Sequence, residues 1–273
     1  MTRILVPLKI LEGQSVSAGL VDLLEPMDVT VLGYHVLPEQ TPADQARLQY
    51  EDRATDALED LATEFGADDG TADYRLVFTQ NRKQTFDRVA DATGSTVYAI
   101  PGSTGPVERL LVALTGDVAV ERILSFVVEL VGDRDIGVTL FLATDDERVG
   151  REFLEATAVR LFDRGLHVQT ELAVGEPPLE ALVDAATDHD AIVMGERAPS
   201  LRTLVFGEEA ERVAAESVGP VLVVRRLEDE TADDETADGD DSATDDATVD
   251  RIDDVQTDDA TVDRIDDVQT DDI

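Results

Sequence analysis

Short, unbroken apolar runs alternate along this chain with segments whose apolar residues recur every three or four positions. TRILVPL (2–8) has the β-branched character of a buried strand, and SVSAGLVDLLEPM (15–27) follows with helical spacing and a proline near its end. DVTVLGYHVL (28–37) reads as a second strand and PADQARLQYEDRATDALEDLATEFG (42–66) as a long amphipathic helix stopped by glycine. DYRLVFTQ (73–80), RKQTFDRVADATG (82–94) and TVYAIPGSTG (96–105) continue as strand, helix and strand, the last running into a glycine turn. This alternation predicts parallel pairing in an α/β sheet covered on both faces.

The pattern then restarts. RLLVALTG (109–116) echoes the opening strand, and DVAVERILSFVVELVG (117–132), IGVTLFLAT (136–144) and DERVGREFLEATAVRLFDRG (146–165) follow as helix, strand and long helix. HVQTELAVG (167–175), PPLEALVDAATD (177–188) and DAIVMG (190–195) repeat the series, with prolines in the first turn of the helix. Here the chain adds a fourth helix, EEAERVAAES (208–217), and a fifth strand, GPVLVVRR (219–226). The first unit has neither, because the few residues between Gly105 and Leu110 cannot hold a crossover helix and a further parallel strand. The expected organisation is two doubly wound, Rossmann-like parallel-sheet units in tandem, 1–105 and 106–227, the first truncated after its fourth strand. Residues 228–273 follow as an acidic low-complexity tail in which DDATVDRIDDVQT occurs twice. Such a composition lacks the apolar surface to offset the entropy of ordering, and disorder is the expectation.

Charge narrows the functional classes. The formal net charge is −39; the tail contributes 21 acidic residues against two arginines, leaving −20 on Met1–Leu227. Lys9 and Lys83 are the only lysines. An acidic, lysine-poor surface suits a halophilic cytoplasm, since at 1 M salt the Debye length falls to roughly 3 Å and self-repulsion is screened. It would also draw a basic partner. It argues against nucleic acid, for which no basic stripe exists. Without cysteine there is no disulfide, thiol catalysis or thiolate metal site. No apolar run has membrane-spanning length, so the expectation is a soluble cytoplasmic protein.

One stretch carries the outline of a phosphate site: VMGERAPSLRTLVFGEEAERV, from Val193, is a strand, a glycine turn, a linker, a second glycine and a helix. Backbone N–H groups of such a turn and helix start can cradle an anion. GEPPLEALVDAATDHDAIVMGER (175–197) and AERVAAESVGPVLVV (210–224), with ILVPL (4–8), resemble the universal stress protein (UspA) family. That resemblance implies a doubly wound fold, dimers or tandem pairs, a regulatory role in stress response and, in one branch, ATP binding.

The ATP-binding branch carries Gly, two residues, Gly, nine residues, then Gly followed by Ser or Thr. Gly195 matches the first glycine, but Ala198 stands at the second, eight residues precede Gly207, and Glu208 replaces the hydroxyl. A carboxylate about 4 Å from a phosphate charge costs about 4 kcal/mol at an effective dielectric of about 20. The family's acidic residue after the first strand has no match either: Thr115 holds that place, and Asp117 is two positions late, where it would cap a helix beginning at Val118. In the first unit Lys9 holds it, and Gly102, Ser103, Thr104 and Gly105 keep the two-glycine opening with no following helix behind them. Lys9 with that loop is a candidate anion site; pairing of Lys9 with a carboxylate at the inter-unit surface is the alternative.

Of the three histidines, His35 lies near a strand terminus, while His167 and His189 are expected to be exposed; none has a metal or catalytic spacing. The expectation is a non-enzymatic regulatory protein with degraded nucleotide sites, no cofactor and no metal, acting through association with an unidentified protein partner. It would pair as an intramolecular pseudo-dimer or as a homodimer. The fifth strand is expected to serve pairing between units or between chains; because the first unit lacks one, the second option has two whole chains pairing through their second units. An ATP- or AMP-binding sensor is the second reading. A nucleotide-hydrolysing enzyme is the third, and neither PLKILEG nor ALTGDVA supplies the Ser-Gly-Gly loop it needs.

Overall fold

The computed structural model describes residues 2–38, 43–66, 72–116, 118–196 and 219–226. The chain divides into Met1–Leu227 and Glu228–Ile273, and every described residue belongs to the former. The expected tail and the helix expected at 208–217 lie outside the described residues.

In the first half, strands β1 (Arg3–Leu8), β2 (Asp28–Val36), β3 (Ala72–Thr79) and β4 (Val97–Ile100) alternate with helices α1 (Ala18–Leu24), α2 (Ala43–Gly66) and α3 (Arg82–Thr93). The second half has β5 (Arg109–Ala113), β6 (Gly137–Thr144), β7 (Val168–Val174), β8 (Ala191–Gly195) and β9 (Val221–Val224). Its helices are α4 (Val120–Val131), α5 (Glu147–Phe162) and α6 (Pro178–Ala186). All nine strands form one sheet in the order β3-β2-β1-β4-β9-β8-β5-β6-β7. Every neighbouring pair is parallel except β4 and β9, which run antiparallel with Val97 opposite Val224 and Ile100 opposite Val221.

Side-chain alternation along the strands divides the core into two layers. Ile4, Val6, Val31, Leu110, Val112 and Leu222 face α1, α2, α4 and α5, whose Leu20, Leu58, Ile123 and Leu154 join the same buried cluster. Leu5, Leu111, Ile192, Val221 and Val223 face the other way, onto Phe86 and Val89 of α3 and Leu182 of α6. Both layers run through both halves, so the two repeats share one core.

Three details correct or narrow the sequence expectation. Helix α1 begins at Ala18 rather than near Ser15, because a 3-10 turn at Ile10–Glu12, closed by Gly13 at φ 72°, occupies the preceding chain. Helix α4 begins at Val120 with Ala119 before it, so Val118 does not open that helix. Strand β9 is expected from the sequence to serve pairing between units or between chains, and it joins the two units rather than two chains. It is bracketed by β8 and β4 of its own chain and fills the place of the strand the first half lacks. Its four residues are buried and neither edge is free.

Candidate functional site: two strand-end crevices

Ligands of doubly wound sheets bind at the carboxyl ends of the strands where the strand order reverses. Here that rule marks two places, the β1/β4 end and the β5/β8 end. The antiparallel β4–β9 junction directs the strand ends of the two halves to opposite margins of the sheet.

At the first crevice, β1 ends in buried Leu8 and delivers Lys9. The Lys9 backbone N–H donates to Gln14 Oε1 at 2.9 Å, and its ammonium donates to Glu12 Oε2 at 3.1 Å. Glu12 is thus a local carboxylate partner of Lys9, three residues on in the same unit. After β4, Ser17 Oγ donates to Gly102 O at 3.1 Å, and Gly105 O lies against Gly19 of α1. A helix start therefore does stand behind the 102–105 loop, supplied by α1 rather than by a following helix. Ser103 is exposed, and Thr104 packs its methyl against Gly19. Gly102 is glycine for a packing reason: a Cβ there would sit 2.3 Å from the carbonyl of Gly219 and 2.7 Å from Pro220 N. The loop uses its first glycine to let the approach to β9 pass.

At the second crevice, β5 runs on through Leu114 and Thr115. Thr115 is buried, and its hydroxyl accepts the Ala143 N–H at 2.8 Å, joining the ends of β5 and β6. Gly116 turns the chain at φ 91°, and Val118 N–H donates to Gly116 O. Across from it β8 ends at Gly195. A Cβ on Gly195 would meet Val118 Cβ and Cγ1 at 2.8 Å and Ile123 Cδ1 at 3.4 Å. The bare face of this glycine is occupied by valine and isoleucine. The next amide, Glu196 N–H, donates to Val224 O at 2.9 Å, and Glu196 Oε2 accepts from Arg226 N–H at 3.1 Å. Ala198, Gly207, Glu208 and Asp117 lie outside the described residues.

The histidines have structural partners. The His35 ring lies 6.1 Å from Tyr50 and 6.3 Å from Phe78. His167 is exposed as expected, 3.6 Å from Asp135. His189 differs: it is half-buried, with Nδ1 2.7 Å from Ala185 O and Nε2 2.8 Å from Thr139 Oγ1. No group of three His, Asp or Glu side chains among the described residues is placed to hold a metal. No helix among them is long and apolar enough to cross a membrane.

Sequence reasoning assigned no role to Arg225, and the structure gives it a large one. Its backbone N–H donates to Thr96 O at 2.9 Å, Nη1 donates to Ser95 O at 3.0 Å, and Nη2 donates to Asp91 Oδ1 at 2.8 Å. The guanidinium carbon stands 5.3 Å from the centre of the Tyr98 ring, a cation–π geometry. Burial disfavours its charge, but the Asp91 hydrogen bond, with the Tyr98, Asp91 and Glu196 charges, outweighs burial and holds its pKa above the ordinary value. Burial also pushes the Tyr98 phenol well above its usual range. The Arg225 cation opposes that shift, and Asp87, which accepts the phenol proton at 2.9 Å, adds to it. Arg134, just beyond α4, likewise reaches the first half, donating to Asp22 O and Leu23 O at the end of α1. A doublet of arginines directly after an apolar strand was the available signal for Arg225.

Comparison with known proteins places these features. Residues 144–225, from the end of β6 through β9, match the model of the universal stress protein family. No curated protein matched the chain. Among solved structures, a universal stress protein from Archaeoglobus fulgidus DSM 4304 has the same fold, with a TM-score of 0.58. It is 18% identical over 83% of this chain and 97% of its own. A second universal stress protein from Archaeoglobus fulgidus is 28% identical over 42% of this chain and 92% of its own, with a TM-score of 0.33. The universal stress protein from Archaeoglobus fulgidus in complex with dAMP is 24% identical over 42% of this chain and 96% of its own, also at 0.33.

Proposed function

We propose that this chain is a non-enzymatic regulatory protein of the universal stress type, working in a salt-rich cytoplasm through protein association, with both strand-end crevices given over to packing. The observation that carries this reading is Val118 seated over Gly195. In a phosphate cradle the bare glycine lets the ligand approach the backbone; here an apolar side chain takes that space. The surroundings agree. The Glu196 amide is spent on Val224 O, the Thr115 hydroxyl on Ala143 N–H, and the Lys9 ammonium on Glu12.

Calorimetric titration with ATP and AMP in molar KCl tests the reading, and no binding heat is expected. Affinity of about 1 μM, worth about 8 kcal/mol, would replace it with an adenylate sensor. Release of phosphate or pyrophosphate from ATP by the purified protein would replace it with an enzyme.

A further inference from the structure

Strand β7 ends the sheet and pairs with β6 on one side only. The ladder fixes which of its backbone groups that pairing consumes. Val138 N–H donates to His167 O at one end, and Gly175 N–H donates to Thr144 O at the other. Along a parallel strand, alternate residues turn their N–H and C=O to the same neighbour. The odd-numbered residues from His167 to Gly175 therefore face β6, and Val168, Thr170, Leu172 and Val174 present N–H and C=O to the free edge. The two faces beside that edge differ. Val168 and Leu172 pack their side chains into the core layer beneath α5, which lies over β6 and β7. On the inner flank of α5, Arg160 reaches Glu121 of α4. Phe162, about 160° round the helix from Arg160, stands on the outer flank and is 70% exposed. On the other face Gln169 and Glu171 are exposed. A strand laid along β7 would send alternate side chains under Phe162 and the rest beside Glu171.

We propose that the β7 edge is the association surface and that its occupant is an extended segment of a basic partner protein, with apolar residues alternating with lysine or arginine. A row of N–H and C=O groups at strand spacing is matched by another extended backbone, so the partner adds a strand to the sheet. Charge selects which one. The chain carries a net −39, and Glu171 stands at the centre of the seven-residue strand. The same carboxylate turns away a second copy, since antiparallel pairing about the strand midpoint would set Glu171 against Glu171. The opposite margin is less open: β3 lies under α2, and Tyr74 Oη donates to Glu59 of that helix at 3.0 Å. This rests on the association reading and names its surface; its test contains no nucleotide, so the two fail separately.

The probe is a fluorescently labelled peptide as long as β7, seven residues, alternating valine and arginine. Its anisotropy is followed against the full chain in molar KCl, where diffuse attraction to an acidic surface is screened to roughly 3 Å. Saturable binding is expected, and none for the matching peptide of valine and glutamate. Glu171→Lys, at an exposed position, should weaken it about threefold or more. Thr170→Pro should weaken it about tenfold or more, because proline there removes an outward N–H and no bond to β6. Amide hydrogen exchange read by NMR locates the contact. The peptide should slow the amides of Val168, Thr170, Leu172 and Val174 and leave those of Gln169 and Glu171, already bonded to β6, unchanged. No binding in molar KCl, equal affinity for the two peptides, equal affinity of the parent and both variants, or protection that misses those four amides would overturn the proposal.

Discussion

Arg225, just past β9, donates to the Asp91 carboxylate of α3 at 2.8 Å, tying the strand that closes the second half to the last helix of the first. With the Ser95 carbonyl and the Tyr98 ring it forms a clasp across the β4–β9 junction. Asp91 itself is 69% exposed, so the pair draws its strength from the buried guanidinium and its carbonyl contact rather than from an isolated charge pair.

Arg225→Ala is therefore expected to destabilise the protein by about 2 kcal/mol, since a carbonyl loses its donor and a charge-assisted hydrogen bond is broken. Asp91→Asn should cost less than about 1 kcal/mol, the amide oxygen still accepting. Urea unfolding in fixed KCl measures both as a shift of midpoint with an unchanged slope. Equal midpoints for Arg225→Ala and the parent would remove the clasp.

Alkaline pH reads the buried phenol. Tyr98 holds its proton more tightly folded than unfolded, so its contribution is fully present below about pH 10, the ordinary tyrosine value. As pH rises beyond that, the unfolded chain releases the proton first and stability falls. Tyr74, also raised, by burial and by its Glu59 hydrogen bond, adds to the slope. The difference between the parent and Tyr98→Phe isolates the Tyr98 share, and the expected result is a shallower alkaline decline in the variant. Parallel curves would contradict it.

Gly195→Ala should destabilise by about 1–3 kcal/mol, because its new Cβ meets both the Cβ and the Cγ1 of Val118, of which Val118→Ala removes only the Cγ1 contact. Combining it with Val118→Ala should restore part of that loss through a coupling of about 1 kcal/mol. Thermal unfolding of the four proteins of the cycle checks this. Additive losses would mean that valine does not occupy the glycine's face.

Lys9→Ala is expected to change stability by less than about 1 kcal/mol, since its ion-pair partner Glu12 is exposed. Inorganic phosphate, titrated calorimetrically, should give no binding heat with either the parent or the variant. Phosphate binding by the parent that disappears in the variant would restore the anion site the sequence suggested.

Much of the fold was legible in the chain. Central parallel strands are buried on both faces, so β1, β5 and β8 appear as continuous apolar runs. Gly94 and Gly132 follow α3 and α4 at positive φ, where glycine has no Cβ to strain. Helix starts were less legible. The side chain of Gln14 takes the Lys9 N–H, an interaction that apolar periodicity does not register, and the 3-10 turn beside it delays α1 to Ala18. The candidate sites were legible as positions and not as roles. Gly102, Gly195 and Thr115 stand where the strand ends require, but their neighbours are Gly219, Val118 and Ala143.

The sequence by itself determined the kinds of element, their order, the repeat and the missing fifth strand of the first half, because burial periodicity and turn chemistry are local. Tertiary structure alone decided that β9 completes the first half's edge, since an apolar strand carries the need for neighbours and not their identity. It also decided what the glycines are for. A glycine in sequence says that a side chain is unwelcome there; only the packed fold shows that at Gly195 the space belongs to Val118.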